Sequence, residues 1–313
     1  MRVLVTGSHG YIGSVLSKIL KERGCELILG CDNDLTKDNA EWLFTRRLRS
    51  SFDDDFTVDQ ILQYKIDVIV HLAATSTVGP DAQDPWLYYL NNTARTIAFL
   101  YKLKQVGWKG HIIFASTAAV YGSYDRPVKE VDTRSPSSIY GHSKLLCERM
   151  LMHARRHDIN TTTFRFFNVA GAYNGIGEEA EDTHLISKIC NAALAGDPVS
   201  VYGNLYPTRD GTCIRDYVHV ADICDAIIHS AENEVYGTYN LGTQRGISVT
   251  EMIEQFNMHT GQDVRYVISG PRQGDSPFLV ADPGLFERQS GFMYKYTIRD
   301  IINSSWEHFK NGI

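Results

Sequence analysis

The tightest constraint on this chain lies at its start. A short apolar run, Arg2-Val3-Leu4-Val5-Thr6, passes into Gly7-Ser8-His9-Gly10-Tyr11-Ile12-Gly13 and then into apolar residues at helical spacing, Ile12, Val15, Leu16, Ile19 and Leu20. The pattern reads as strand, glycine turn, helix. In such a unit Gly7 permits the tight turn, Gly10 lets backbone amides approach a pyrophosphate, and Gly13 lets helix and strand pack closely, leaving the helix N-terminus as an anion site. The spacing is Gly-x-x-Gly-x-x-Gly, so the dinucleotide reading rests on the flanking strand and helix as much as on the glycines.

A second strand, Glu26 to Cys31, ends at Asp32, about 20 residues on, where an acid accepts hydrogen bonds from an adenosine ribose and repels the extra phosphate of NADP. Asp32 therefore points to NAD; the alternative is an Asx turn formed by Asp32-Asn33-Asp34. Arg46, Arg47 and Arg49 read as an arginine-rich surface helix, or as receivers of that phosphate. Val68 to Ala74 is a buried parallel strand whose small residues at the carboxyl end would let a cofactor lie flat. Asp84-Pro85 opens a helix as N-cap and first-turn proline, with Asn91 on its polar side. A further strand, His111 to Ala115, delivers Ser116-Thr117 to the same edge. Strands alternating with helices predict an α/β fold with a doubly wound parallel sheet.

Within Ser138-Ile139-Tyr140-Gly141-His142-Ser143-Lys144, a tyrosine and a lysine at i, i+4 share one helix face. A phenol titrates near pKa ~10, and an ammonium one turn away together with a positively charged nicotinamide would favour the phenolate and make Tyr140 a base. The alternative is an ordinary surface Tyr/Lys pair.

The chain has 313 residues, is 43% hydrophobic and carries a formal charge of -6, enough for one large or two closely joined domains, expected as two lobes sharing a cleft. The mild acidity argues against nucleic acid and requires an anionic ligand to be held by a few placed arginines. Six dispersed cysteines without Cys-x-x-Cys, and no His cluster, suggest reduced thiols and no metal. No leader pattern or membrane-length apolar run is seen, so a cytoplasmic, membrane-free protein is expected.

With Thr6-Gly7-x-x-Gly10-x-x-Gly13, Ser116-Thr117 before Val120-Tyr121-Gly122, and Tyr140-x-x-x-Lys144 in this order, the chain resembles the extended short-chain dehydrogenase/reductases. The second half narrows this: Arg165-Phe166-Phe167-Asn168, the run from Tyr202 through Asp210-Gly211-Thr212-Cys213-Ile214-Arg215-Asp216-Tyr217 to Val220, Tyr239 to Gly242, and Pro271 to Asp275 are similar to the UDP-glucose 4-epimerase family, along nearly the whole length. The resemblance implies a Rossmann domain, mainly residues 1–170, and a smaller C-terminal nucleotide-sugar lobe, mainly 171–313, with about 212–245 returning to the first. It implies a homodimer and catalytic roles for Thr117, Tyr140 and Lys144. Cofactor contacts would be Gly7, Gly10, Tyr11, Ile12, Gly13, Asp32, Asn33, Leu72, Ala73, Ala74, Ser76, Asn91, Ser116, Tyr140, Lys144 and Phe167. On the UDP-sugar side stand Thr117, Asn168, His184, Leu185, Tyr202 to stack on uracil, Arg215 and Arg272 for the diphosphate, Asp275 for the ribose, and Leu279 beside the sugar.

Each of these has a plainer reading: Arg215 paired with Asp216 and Asp210, Tyr202 a core aromatic, His184 a helix-cap neighbour. The adenine-side acid is one of Asp53, Asp54 and Asp55, with Asp55 before Phe56 preferred. The implied chemistry is NAD-dependent 4-epimerisation of a UDP-hexose, UDP-glucose/UDP-galactose favoured, through a 4-keto intermediate. The alternatives are another UDP-sugar (UDP-GlcNAc, UDP-glucuronate, UDP-xylose), a dehydratase or decarboxylase, disfavoured because Ala118-Ala119 supply no acid, and a non-catalytic NAD-binding protein.

Overall fold

A computed structural model describes residues 1–33, 43–76, 84–179, 184–272 and 274–312. Asp34, on which the Asx-turn alternative depends, and Gln273 of the Pro271 to Asp275 run lie outside them. In chain order the elements are β1 (Arg2–Thr6), α1 (Tyr11–Glu22), β2 (Leu27–Asp32), β3 (Arg46–Arg49), α2 (Asp55–Gln63), β4 (Val68–His71), α3 (Pro85–Tyr88) and α4 (Arg95–Gln105). Then come β5 (His111–Thr117), α5 (Ile139–Ala154), β6 (Asn160–Phe166), β7 (Asn168–Ala170), α6 (Leu185–Ala195), β8 (Val199–Tyr202), β9 (Ile214–His219) and α7 (Val220–Glu232). The chain ends with β10 (Gly237–Leu241), β11 (Gly246–Ser248), α8 (Val249–Thr260), β12 (Tyr266–Ser269), β13 (Phe278–Leu279), α9 (Gly284–Ser290) and α10 (Ile298–Lys310).

These elements form two compact units. Met1–Tyr121, Thr133–Arg165 and Ala226–Tyr239 make the first; Gly122–Asp132, Phe166–Asp225 and Asn240–Ile313 make the second. The first unit is built on a seven-stranded sheet of order β10-β6-β5-β4-β1-β2-β3, parallel from β3 through β5. Its central strands are buried along their apolar runs, Val3-Leu4-Val5, Ile28-Leu29, Val68-Ile69-Val70 and Ile112-Ile113-Phe114, as strands covered on both faces must be. The strand order reverses between β1 and β4, and the ends of those two strands are where Gly7 and the Leu72 to Ser76 run lie. An open parallel sheet binds its ligand at such a switch point.

Two expectations change. Arg46, Arg47 and Arg49 are not on a helix: they lie on β3, the edge strand, paired in parallel with β2. Leu48 alone is buried, with Arg46 and Arg49 exposed and Arg47 half-buried, so the exposed edge is guarded with charge. The fourth strand stops at His71 rather than Ala74. Beyond it Leu72 N–H still reaches the Thr6 carbonyl at 3.2 Å and Ala73 N–H turns to the Thr6 hydroxyl at 3.3 Å, so pairing ends as the chain leaves the sheet.

The second unit carries a four-stranded sheet, β11-β9-β13 with β7 also on β9, and the parallel pair β12-β8. Helices α6, α8 and α10 pack around a core that includes Ile189, Tyr217, Phe256, Ile302 and Trp306.

Candidate active site

The first unit holds a nucleotide cradle. Gly7 has φ +68°, and a Cβ there would sit 2.8 Å from Ala73 N; a Cβ on Gly13 would sit 2.3 Å from the Gly7 carbonyl oxygen. Both glycines are therefore demanded by close backbone approach, one between β1 and the end of β4, the other between turn and helix. Gly10 is the N-cap of the twelve-residue α1 and caps it with no side chain, and Tyr11 and Ile12 form the first turn, the end of a helix whose dipole favours an anion. Asp32, at the end of β2, accepts a hydrogen bond from His9 N–H at 3.0 Å, which anchors the glycine loop beside the carboxylate. Asn33 follows it, exposed. The glycine cradle, the helix N-terminus and the acid together fit a dinucleotide.

Leu72, Ala73 and Ala74 are half-buried and Ser76 is exposed. The run is held by two asparagines on a π-helical turn, Tyr89–Ala94. Asn91 Nδ2 donates to the Thr75 hydroxyl at 3.0 Å, while Asn92 accepts from Thr75 N–H at 2.8 Å and donates to the Thr75 carbonyl at 3.0 Å and to Ser143 Oγ at 3.0 Å. Asn91, expected on the cofactor, thus positions the loop, and the fully buried Asn92 went unnoticed in the sequence because a π turn shifts which residues face inward. Asp55 and Phe56 open α2 and are exposed. Asp55 pairs with Lys102 at 2.6 Å, whereas Asp53 and Asp54 fold back to accept from the Ser51 hydroxyl and, at 3.0 Å, from Ser51 N–H at the carboxyl end of β3.

The chemistry-bearing residues converge between β5 and α5. Thr117 closes β5 and its Oγ1 accepts from Ala119 N–H at 3.1 Å. Ser138 caps α5, accepting from Gly141 N–H at 3.1 Å, and this fixes the start of the helix that carries Tyr140 and Lys144. Burial pushes the pKa of the Tyr140 phenol up to about 12, and the neighbouring Thr117 side chain only partly opposes this. Burial likewise lowers Lys144 to about 8. Its ammonium donates to the Ala115 carbonyl at 2.8 Å and lies 6.0 Å from the centre of the Tyr140 ring. The lysine alone therefore does not make the phenolate. Ser116, named as a cofactor contact, is buried and gives its hydroxyl to Glu148 Oε1 at 2.5 Å. Glu148 was missed, although it stands one turn beyond Lys144 on the same face.

In the second unit Arg272 and Arg215 stand beside Tyr202 and Asp275. The Arg272 guanidinium lies 3.8 Å over the centre of the Tyr202 ring, so Tyr202 is a half-buried platform rather than a core aromatic. Arg215 donates to the Ser276 carbonyl at 2.7 Å and stands 3.6 Å from Asp275, and Leu279 pairs with it across β9 and β13. Arg215 is not paired with Asp210 or Asp216. Along β9 the side chains alternate, and Asp216 is buried among Thr243, Gln244 and Ala281 donors, while Asp210 accepts from Thr212 N–H at 2.9 Å. Burial raises Asp216 to about 6 against the pull of those donors. Asn168 starts β7, in register with Tyr217 on β9; Phe167 is buried, its N–H on the Leu241 carbonyl at 3.1 Å. His184 precedes Leu185 at the start of α6 and meets Glu178 at 2.8 Å.

A doubly wound sheet with a glycine cradle, an acid after β2 and a Thr-Tyr-Lys set defines an NAD-binding α/β enzyme of the short-chain dehydrogenase/reductase type. The family model for the NAD dependent epimerase/dehydratase family matches residues 3–242, and the chain belongs to that family. It is 34% identical to a UDP-glucose 4-epimerase of Lactobacillus helveticus over 99% of this chain and 98% of the relative. Among solved structures, UDP-glucose 4-epimerase from Stenotrophomonas maltophila, with bound NAD and formylated UDP-arabinopyranose, superposes with TM-score 0.92 at 30% identity over 99% of this chain and 98% of the other. UDP-glucose 4-epimerase from Brucella ovis, in complex with NAD, gives TM-score 0.90 at 34% identity, with 98% of each chain covered.

Proposed function

We propose that this chain is an NAD-dependent UDP-hexose 4-epimerase acting best on UDP-glucose and UDP-galactose. The observation that carries the reading is the placing of Thr117 at the end of β5 beside Tyr140 and the buried Lys144 of α5, set in a chain similar to UDP-glucose 4-epimerases from end to end. NAD, when bound, supplies a hydride acceptor for C4 and the positive ring that the raised Tyr140 phenol needs besides Lys144. Tyr140 takes the proton of the sugar 4-hydroxyl, Thr117 hydrogen-bonds the same oxygen, and Lys144 supports the phenolate charge. The Met1–Tyr121 unit is the cofactor-binding part. In the second unit Tyr202, Arg215, Arg272 and Asp275 hold the nucleotide, so that the 4-ketose can turn over while UDP stays anchored. Ala118 and Ala119 after Thr117 offer no proton, which disfavours elimination.

The test is incubation of the purified protein with UDP-glucose, UDP-GlcNAc, UDP-xylose and UDP-glucuronate, with NMR of the products. Fastest conversion of UDP-glucose to UDP-galactose is expected; a 4-keto-6-deoxy product, loss of carbon dioxide, or faster turnover of another sugar replaces the reading.

We infer that the chain forms a homodimer; the exposed apolar residues Trp86, Leu90, Ile97 and Tyr101, 75%, 53%, 48% and 59% exposed, support this as a surface that a second copy would cover. Sedimentation should give twice the chain mass, and Ile97→Lys with Tyr101→Lys should give the monomer. The six cysteines, none of them in a disulfide, support a cytoplasmic location, and among the described residues no helix is long and apolar enough to cross a membrane.

A further inference from the structure

Beneath the Thr117–Tyr140–Lys144 set lies a buried ionic bracket. Glu148 follows Tyr140 and Lys144 at successive turns of α5, and its carboxylate takes three donors: Ser116 Oγ at 2.5 Å from β5, and Arg165 Nε at 3.0 Å and Nη2 at 2.8 Å from β6. Arg165, 1% exposed, gives its remaining arm to the Tyr121 hydroxyl at 2.6 Å. One carboxylate thus ties the catalytic helix to two neighbouring strands, and it grips the strand at the residue just before Thr117. On the other side of that residue Lys144 holds the Ala115 carbonyl. Gly141 closes the same seam, for a Cβ there would lie 2.3 Å from the Ala119 carbonyl oxygen. A buried ion pair is poor evidence of stability, because desolvating two charges offsets most of their attraction. Its retention at this point asks for another reason.

We propose that Glu148, paired with Arg165, is a positioning residue of the epimerase reaction: it sets Thr117 against Tyr140 through Ser116 and keeps Lys144 cationic. The inference rests on Tyr140 and Lys144 being the acid-base pair. The groups facing the Lys144 ammonium are few. On α5 these are Tyr140, Cys147 and Glu148; from β4 comes His71, held neutral by burial with its pKa near 3; from β5 come the Phe114 ring at 4.7 Å and the Ala115 carbonyl. Cys147 and the carboxylate of Glu148 are the groups among them that favour the charged lysine against burial, and because burial also raises the Cys147 thiol and keeps it protonated, the charge that acts near neutral pH is that of Glu148.

Glu148→Gln keeps the shape and removes the charge, leaving the Arg165 cation uncompensated in the same neighbourhood; both changes lower the Lys144 pKa. With ε-carbon-labelled lysine and the Lys144 signal assigned by Lys144→Arg, NMR should show Lys144 titrating about one pH unit lower in Glu148→Gln than in the parent. Turnover should fall at least ~10-fold with KM for UDP-glucose within about 2-fold, since an interaction used in the reacting state is lost and the nucleotide grip is not. An unmoved Lys144 titration in the folded variant makes Glu148 a structural brace only and overturns the proposal. If Glu148→Gln does not fold, Ser116→Ala removes only the Ser116 link; a several-fold fall in turnover at unchanged KM is expected, and parental turnover overturns the proposal. Tyr140→Phe separates the underlying assumption: near-parental turnover there removes the base assignment, whatever Glu148 does.

Discussion

Asp216→Asn exchanges one oxygen of a fully buried carboxylate for an NH2 group at no change of volume. Oδ1 of Asp216 accepts from Thr243 N–H at 2.9 Å and from the Thr243 hydroxyl at 2.7 Å; Oδ2 accepts from Gln244 N–H at 2.9 Å and Ala281 N–H at 3.1 Å. An NH2 in place of either oxygen faces two donors. The milder choice is the Oδ1 side, where the Thr243 hydroxyl can turn to the Tyr217 carbonyl, 3.3 Å away, and Thr243 N–H is left unpaired. A buried donor without a partner costs roughly 1 to 3 kcal/mol, and the surviving bonds lose their charge assistance, so the sum is about 2 to 5 kcal/mol. At ~2 to 4 °C per kcal/mol this lowers Tm by roughly 4 to 20 °C, measurable by calorimetry. The pH dependence has a definite sign. Burial raises the folded-state pKa of Asp216 to about 6 from 3.8, so the folded state binds the proton more readily. The group favours folding most below the unfolded value, and this contribution is lost as pH rises through 6. The asparagine variant lacks that slope, so the gap between the two proteins narrows toward pH 8. Because Arg215 and Asp216 are consecutive on β9, UDP affinity by calorimetric titration should also weaken. A folded Asp216→Asn protein within about 1 °C of the parent would refute the account of these four donors.

Tyr140→Phe should keep the fold and bound NAD but lower turnover at least ~10²-fold, the scale of lost acid-base catalysis; steady-state kinetics on the NAD-loaded protein decides it. Leu279→Ala should raise kcat/KM for UDP-GlcNAc relative to UDP-glucose and Leu279→Tyr should lower it, since intrusion on a packed side chain costs typically ~1 to 3 kcal/mol; an unchanged ratio in both variants places the sugar gate elsewhere. The half-buried Leu279, beside Arg215 in register, motivates the choice.

What the sequence determined by itself is the set of features whose partners are close along the chain. Gly7, Gly10 and Gly13 mark a turn between a strand and a helix, and Tyr140 and Lys144 share a face whenever a helix runs between them. Asp84-Pro85 starts its helix as expected, Asp84 accepting from Trp86 N–H at 3.0 Å. Composition and the order of such units then restrict the fold to a doubly wound sheet. The features left to tertiary structure are those whose partners are remote. Arg46 to Arg49 become a strand because β2 offers an edge to pair with, which local propensity does not see. Asn92 holds Thr75, Glu148 holds Ser116 and Arg165, and Asp216 holds Thr243, Gln244 and Ala281. Burial, too, is a property of the folded chain. The same Tyr-x-x-x-Lys spacing that reads as a ready phenolate becomes a phenol held at about 12 beside a lysine lowered to about 8, because the desolvation that opposes both charges exists only once the surrounding chain has closed over them.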